Sequence, residues 1–210
     1  MGVTSQPNST KIGLLGGTFD PIHMGHLLIA EDARQGLGLD TIVFIPTGRP
    51  WLKADQKVTE PKHRLAMVEL ATNSNPNFEV SDIEVCRPGA TYTVDTLEQL
   101  RREYDSNTEI FLILGMDSLN ELTRWRNPER LFGFCTIVGI SRPGQDDIDR
   151  DKLESIAGGA SDKVILIPGP SLGISGTDIR DRVADGRSIK YRVPEAVESY
   201  ILEYGLYTRQ

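Results

Sequence analysis

The sequence predicts an α/β fold: a single doubly wound, Rossmann-like domain with a mostly parallel sheet and a C-terminal helical segment. Short apolar runs bounded by turn residues recur at Ile12–Leu15, Ile42–Ile45, Ile110–Leu114, Thr136–Ile140 and Val164–Ile167. They are continuous rather than alternating, as in strands buried on both faces. Between several of them lie segments with helical spacing, and strands that alternate with helices imply a parallel sheet covered on both sides. No internal repeat and no Pro- or Ser-rich linker divides the chain, so about six strands belong to one domain.

Taken in order, residues 1–10 are expected to be a flexible leader and residues 11–210 the domain. The first helix covers Leu27–Gln35 and the second Lys62–Ala71, with Thr59 before Pro61 marking the second start. Phe78–Val85 shifts phase between Val80 and Ile83, which suits a bulged or edge strand. Val94, Leu97, Leu100 and Tyr104 form one stripe of a third helix over Val94–Tyr104. Arg142–Arg150, with Pro143, Gly144 and several Asp, reads as an exposed loop. Ser175, with Asp178 three residues on, caps another helix. The last helix begins at Pro194 and ends at Gly205, which suits the left-handed residue after a helix.

A chain of 210 residues with 39% hydrophobic and 25% charged residues can bury a self-supporting core. Its 23 Lys+Arg against 30 Asp+Glu give a net charge of −7, which argues against broad nucleic-acid binding while leaving room for a small, locally basic anion site. Cys86 and Cys135 form no C-x-x-C pair, so they read as inert thiols of a reducing compartment. No apolar run approaches the roughly 20 residues a membrane helix needs, and the N-terminus is polar where a signal peptide is apolar. A cytoplasmic protein without membrane contact is the expectation.

The candidate chemistry begins after the first strand, at Gly16-Gly17-Thr18-Phe19-Asp20-Pro21-Ile22-His23-Met24-Gly25-His26. In a doubly wound fold this turn binds phosphates: adjacent glycines let the backbone approach a ligand, and the following helix offers free N–H groups and a partial positive charge. It is neither G-x-G-x-x-G nor a P-loop. His23 and His26, three apart at the helix start, can face a common ligand. From spacing alone the pair suits a phosphate oxygen, a metal that lacks an evident third ligand, or plain capping. A second cluster, Ile174-Ser175-Gly176-Thr177-Asp178-Ile179-Arg180, follows a Pro/Gly turn. Thr177 and Arg180 can face one ligand there, with Arg180 as a charge-assisted phosphate donor, or form an ordinary capped helix.

Together, His23-Met24-Gly25-His26 and Ile174 to Arg180 resemble the (H/T)-x-G-H and I-S-x-T-x-x-R signatures of the nucleotidylyltransferase superfamily. Within it, the chain is most similar to the bacterial nicotinate-nucleotide adenylyltransferases. Supporting stretches are Gly16–His26, Ile45-Pro46-Thr47-Gly48, His63–Met67, Thr91–Leu97, Gly115–Leu119, Trp125 and Ser141-Arg142-Pro143-Gly144. The likeness spans Lys11 to Tyr207. One departure stands out: many relatives carry P-x-P-H-K after the second strand, where this chain reads Arg49-Pro50-Trp51-Leu52-Lys53. Leu52 replaces the histidine and Lys53 remains.

The resemblance implies transfer of the adenylyl group of ATP to nicotinate mononucleotide, giving deamido-NAD and pyrophosphate. It implies catalytic roles for His23, His26, Lys53 and Arg180. The ATP side would comprise Gly16, Gly17, Thr18, Phe19, His23, His26, Gly115, Asp117, Ser141, Arg142, Ile174, Ser175, Thr177 and Arg180. The pyridine side would comprise Thr91, Thr93 and Trp125. Mg²⁺ would enter with ATP, held by no protein side chain. Asp117 is expected to accept from a ribose hydroxyl, to cap a helix, or both, and Trp125 either to stack on the pyridine or to pack in the core. The competing readings are another acceptor, such as nicotinamide mononucleotide or phosphopantetheine, and a catalytically idle nucleotide-binding sensor. A homo-oligomer is allowed by the sequence but not indicated by it.

Overall fold

A computed structural model describes residues 9–50, 58–141 and 148–209. The expectations placed on Trp51, Leu52, Lys53 and Arg142, and on most of the leader, lie outside them.

Eight strands and eight α-helices alternate along the described residues: β1 (Lys11–Gly17), α1 (Met24–Leu37), β2 (Thr41–Pro46), β3 (Arg49–Pro50), α2 (Pro61–Thr72), β4 (Phe78–Val80), β5 (Ala90–Thr91), α3 (Thr93–Glu103), β6 (Glu109–Gly115), α4 (Met116–Asn120), α5 (Leu131–Phe134), β7 (Thr136–Ser141), α6 (Arg150–Glu154), β8 (Val164–Pro168), α7 (Gly176–Ala184) and α8 (Glu195–Glu203). Six strands form one sheet in the order β4-β2-β1-β6-β7-β8, every neighbouring pair parallel. β3 and β5 pair separately as a two-residue parallel ladder that the sequence did not announce.

The continuous apolar runs follow from burial of both sheet faces, since successive strand residues point to opposite sides. Leu15, Ile42, Phe44, Ile113 and Val138 face a cluster with Ala30 and Ala33 of α1, Met67 and Val68 of α2, and Val197 and Ile201 of α8. Leu14, Val43, Ile45, Leu112 and Ile137 face the opposite cluster with Leu97 and Leu100 of α3 and Leu131 and Phe132 of α5. Gly13 leaves room in β1: a Cβ there would lie 2.5 Å from Ile42 Cδ1 and 2.8 Å from Leu39 Cδ1, so those side-chain ends would have to shift.

Two strand expectations are revised. β8 is not buried on both faces: it closes one edge of the sheet, and Ile165 is 37% exposed. At the other edge β4 stops at Val80, where the apolar phase changes, and the next N–H, that of Ser81, bonds to Phe44 O at 2.9 Å. The edge reading of Phe78–Val85 holds for its first three residues.

The helices keep to their signals with one exception. Pro61 opens α2, but Glu60 and not Thr59 is the residue before it, and no side chain caps that end. Thr59 is committed elsewhere, its N–H bonding to Asp20 Oδ2 and its carbonyl accepting from Arg64 Nε. Ser175 Oγ accepts from Asp178 N at 3.1 Å, as a cap should. Pro194 precedes α8, and Gly205 takes φ +59 after it. Among the described residues, no helix is long and apolar enough to cross a membrane.

Arg64 is fully buried and donates to three carbonyls from three segments: Thr18 O at 2.7 Å, Thr59 O at 2.8 Å and Gly48 O at 2.9 Å. A buried acceptor stripped of its donor costs about 1–3 kcal/mol. Arg64→Met is therefore expected to lower the unfolding free energy by at least about 3 kcal/mol, read from the urea midpoint at unchanged slope.

Candidate active site

The strand order reverses between β1 and β6, and in open α/β sheets ligands sit in the crevice at the carboxyl ends beside such a reversal. Gly16 is the last residue but one of β1 and Gly115 the last of β6; both are exposed, and a Cβ on either would meet nothing within 4 Å. Gly17 differs, because a Cβ there would lie 2.9 Å from the Phe19 ring. Phe19 is buried at φ +48, a backbone conformation unfavourable for a bulky side chain. Its ring packs edge-on against His26, centroids 5.0 Å apart.

His23 is the residue before α1, and its N–H bonds to His26 Nδ1 at 3.2 Å. The two imidazoles stack with centroids 3.7 Å apart and planes 20° from parallel. Gly25 makes this possible: a Cβ there would already stand 3.1 Å from His23 Nδ1. The spacing thus does bring both histidines to one side. His23 Nδ1 is buried and has no hydrogen-bond partner among the described residues. Burial pulls the His23 pKa down to about 4, so its ring is neutral at pH 7.

The second cluster docks on the first. α7 begins against the loop after β1, where a Cβ on Gly176 would lie 3.0 Å from Asp20 O. Arg180 Nη1 donates to that same carbonyl at 2.7 Å, and Nη2 to Thr177 Oγ1 at 3.2 Å. Ile174 packs against the core while Ser175 caps the helix. Met24 N at the start of α1 bonds to Arg192 O, and Arg192 Nη1 pairs with Asp178 Oδ2 at 2.9 Å, which ties the two helix starts together from behind.

Asp117 lies in the first turn of α4, exposed; Gly115, not Asp117, is the residue before that helix, so the capping alternative for Asp117 is set aside. Ser141 ends β7 on the same sheet edge, and its carbonyl accepts from Gly169 N at 2.9 Å.

Thr91 and Thr93 flank Tyr92 at the entry to α3, beside Gly48: Thr91 Cγ2 would be 3.1 Å from a Cβ on Gly48. Trp125 packs its ring against the core cluster of that face. Its neighbour Arg126 sits 4.6 Å from the Tyr92 ring centroid, which holds the Trp125 turn to the Thr91–Thr93 segment. Trp125 Nε1 is buried without a hydrogen-bond partner among the described residues. Trp125 is half-buried, so part of its ring packs against the core, as one of the two expectations has it, and its donor is left over.

Three residues of the site carried no role in the sequence. Asp20 and Arg64 fall inside the supporting stretches, but nothing in their spacing distinguishes a buried side chain from a solvated one. Tyr207 reaches Asp20 across 187 positions. Glu84 is a fourth buried polar group: Thr96 Oγ1 donates to it at 2.8 Å, and burial pushes its carboxyl upward.

Against known proteins, residues 14–182 match the cytidylyltransferase-like family model. A nicotinate-nucleotide adenylyltransferase of Roseiflexus sp. (strain RS-1) is 49% identical over 200 residues, covering 95% of this chain and 99% of that protein. One of Dehalococcoides mccartyi is 45% identical over 202 residues, covering 96% and 99%. The chain belongs to the nicotinate-nucleotide adenylyltransferase family. The fold agrees: a Plasmodium falciparum nicotinic acid mononucleotide adenylyltransferase complexed with NaAD superposes with a TM-score of 0.76 at 24% identity, over 94% of this chain and 97% of that one.

The sign of the His23 shift makes a pH prediction. A histidine depressed in the folded state takes up its proton more readily when unfolded, so its contribution is present above pH 6.5 and lost as pH falls toward 4. The wild type is expected to lose ~3 kcal/mol more than His23→Gln between pH 7 and pH 4, in urea unfolding followed at each pH. Equal losses in the two proteins would rule out the buried neutral ring.

Proposed function

We propose that this protein transfers the adenylyl group of ATP to nicotinate mononucleotide. An oxygen of the mononucleotide 5′-phosphate bonds to the α-phosphorus, the bond from that phosphorus to the bridging oxygen breaks, and pyrophosphate leaves with the electron pair, giving deamido-NAD. The observation that carries the reading is the meeting of His23, His26 and Arg180 at the carboxyl edge of the sheet, where α1 and α7 both begin. The names of the relatives supply the acceptor.

The nucleophile needs no general base, because a phosphate monoester is mostly dianionic at pH 7. Catalysis is then positioning and charge stabilisation. In this reading His26, braced by Phe19 and the His23 ring, donates to the α-phosphate as charge develops, with His23 beside it. Arg180 and Lys53 meet the β- and γ-phosphates; Ser175 and Thr177 present the start of α7 to them. Gly16, Gly17, Thr18 and Phe19 shape the nucleotide pocket through their backbone, while Gly115, Asp117, Ser141, Arg142 and Ile174 line its ribose and adenine side.

Mg²⁺ fits this donor set as an ion carried by the triphosphate. The groups that converge are imidazoles, a guanidinium and N–H donors, and among the described residues no three of His, Cys, Asp or Glu gather as a metal cage. Phosphate oxygens would be its ligands. The ion supplies neutralisation of the leaving pyrophosphate.

At the other end, the flat face of Trp125 suits the pyridine ring and the hydroxyl of Thr93 its carboxylate, with Thr91 holding the segment. Pyrophosphate release from ATP and Mg²⁺ is expected with nicotinate mononucleotide and far less with nicotinamide mononucleotide. His26→Ala is expected to lower kcat by about 10²- to 10³-fold without loss of fold. Release with neither acceptor would overturn the reading, and a His26→Ala enzyme of wild-type turnover would remove His26 from it.

A further inference from the structure

Asp20 is buried, and three hydrogen-bond donors meet it. Its carboxylate accepts on both oxygens: from Tyr207 Oη on Oδ1 at 2.7 Å, and from Thr59 N on Oδ2 at 3.1 Å. Its carbonyl accepts from Arg180 Nη1 at 2.7 Å, and a Cβ on Gly176 would crowd that oxygen. Tyr207 reaches it by an unusual path. Gly205 at φ +59 turns the chain back after α8, Leu206 N bonds to Ile201 O, and Tyr207 takes φ +65, an unfavourable conformation for an aromatic residue. Leu206 and Tyr207 then pack against the core.

The arrangement sets a competition. Arg180 bonds to the neutral carbonyl of Asp20 and to Thr177, and among the described contacts it makes none to the carboxylate of that same Asp20. Guanidinium–carboxylate pairs are the stronger and bidentate option, so something must withhold the carboxylate. Both of its oxygens are taken by neutral donors.

We propose that Tyr207 is a positioning residue: its hydroxyl occupies the Asp20 carboxylate and so keeps the Arg180 charge free for the ATP phosphates. Burial and the neighbouring Asp20 push the Tyr207 phenol well above its ordinary range, so it remains a donor throughout the working pH. The inference rests on the reading that Arg180 meets the triphosphate.

Tyr207→Phe keeps the ring and removes only the hydroxyl. Oδ1 then becomes available to Arg180, and ATP affinity is expected to fall about tenfold, by calorimetric titration and in KM, with KM for nicotinate mononucleotide unchanged. Adding Asp20→Asn to that variant removes the competing charge and is expected to restore most of the ATP affinity, although it deletes a further contact. A role in folding alone predicts the opposite, since a second lost contact should worsen the first. Tyr200→Phe, which loses a hydroxyl bonded to His63 Nδ1 at 2.9 Å, serves as the control and should bind ATP normally.

Unchanged ATP affinity in Tyr207→Phe overturns the proposal. So does a double variant weaker than the single one, or a Tyr207→Phe protein that loses both substrates together with its melting temperature. A wild-type protein that binds no ATP overturns the functional reading and this inference with it, whereas normal wild-type binding beside a normal Tyr207→Phe overturns this inference alone.

Discussion

A guanidinium sealed in the interior decides where the loops at the carboxyl edge can go. The sheet delivers β1 and β2 to that edge side by side, but the chain beyond each strand has no ladder to follow. Arg64 supplies the missing donors by bonding to Thr18 after β1, Gly48 after β2 and Thr59 before its own helix. Burial pulls its pKa down, and the carboxylates of Asp20 and Glu84 favour the charged form. An ion is tolerable there because its N–H groups are satisfied by carbonyls. Gly48 carries the constraint outward: the Thr91 segment packs onto it, so one side chain registers the phosphate end against the pyridine end.

The protein has a net charge of −7, and its two substrates are both anions. Affinity for them cannot come from the overall field, which is repulsive. In the proposed reading it comes from groups held close: two helix starts, two stacked imidazoles and one arginine. Such groups act over a few ångströms, within which a buried hydrogen bond outweighs distant surface carboxylates screened by salt. A neutral His23 is suited to this, because two stacked imidazolium rings would repel each other before a phosphate arrived.

The sheet was legible in the sequence because burial on both faces leaves continuous apolar runs, and α3 because its stripe repeats at the helical period. The site was legible where a function needs particular residue types close in sequence, as in His23 to His26 or Ser175 to Arg180. What could not be read depends on contacts between distant segments. Thr59 resembles a cap, and only the fold shows its N–H taken by Asp20. The β3–β5 ladder is two residues long, too short for a period. Arg64 sits on an ordinary helix, and its burial is decided by loops 16 and 46 residues away.

A reaction without a general base places its demands on geometry. An enzyme that shuttles protons can tolerate a loose residue if the pKa is right; one that only positions phosphates loses rate with every displaced donor. That accounts for the way the described contacts are distributed here. The imidazoles are stacked and edge-packed by Phe19 at an unfavourable φ, and Arg180 is fixed at Thr177 and Asp20. Asp20 in turn is bonded to the start of α2 and to the C-terminal Tyr207. Phe19 and Tyr207, two of the four non-glycine residues at positive φ among the described residues, both brace these donors, where orientation is worth more than local stability.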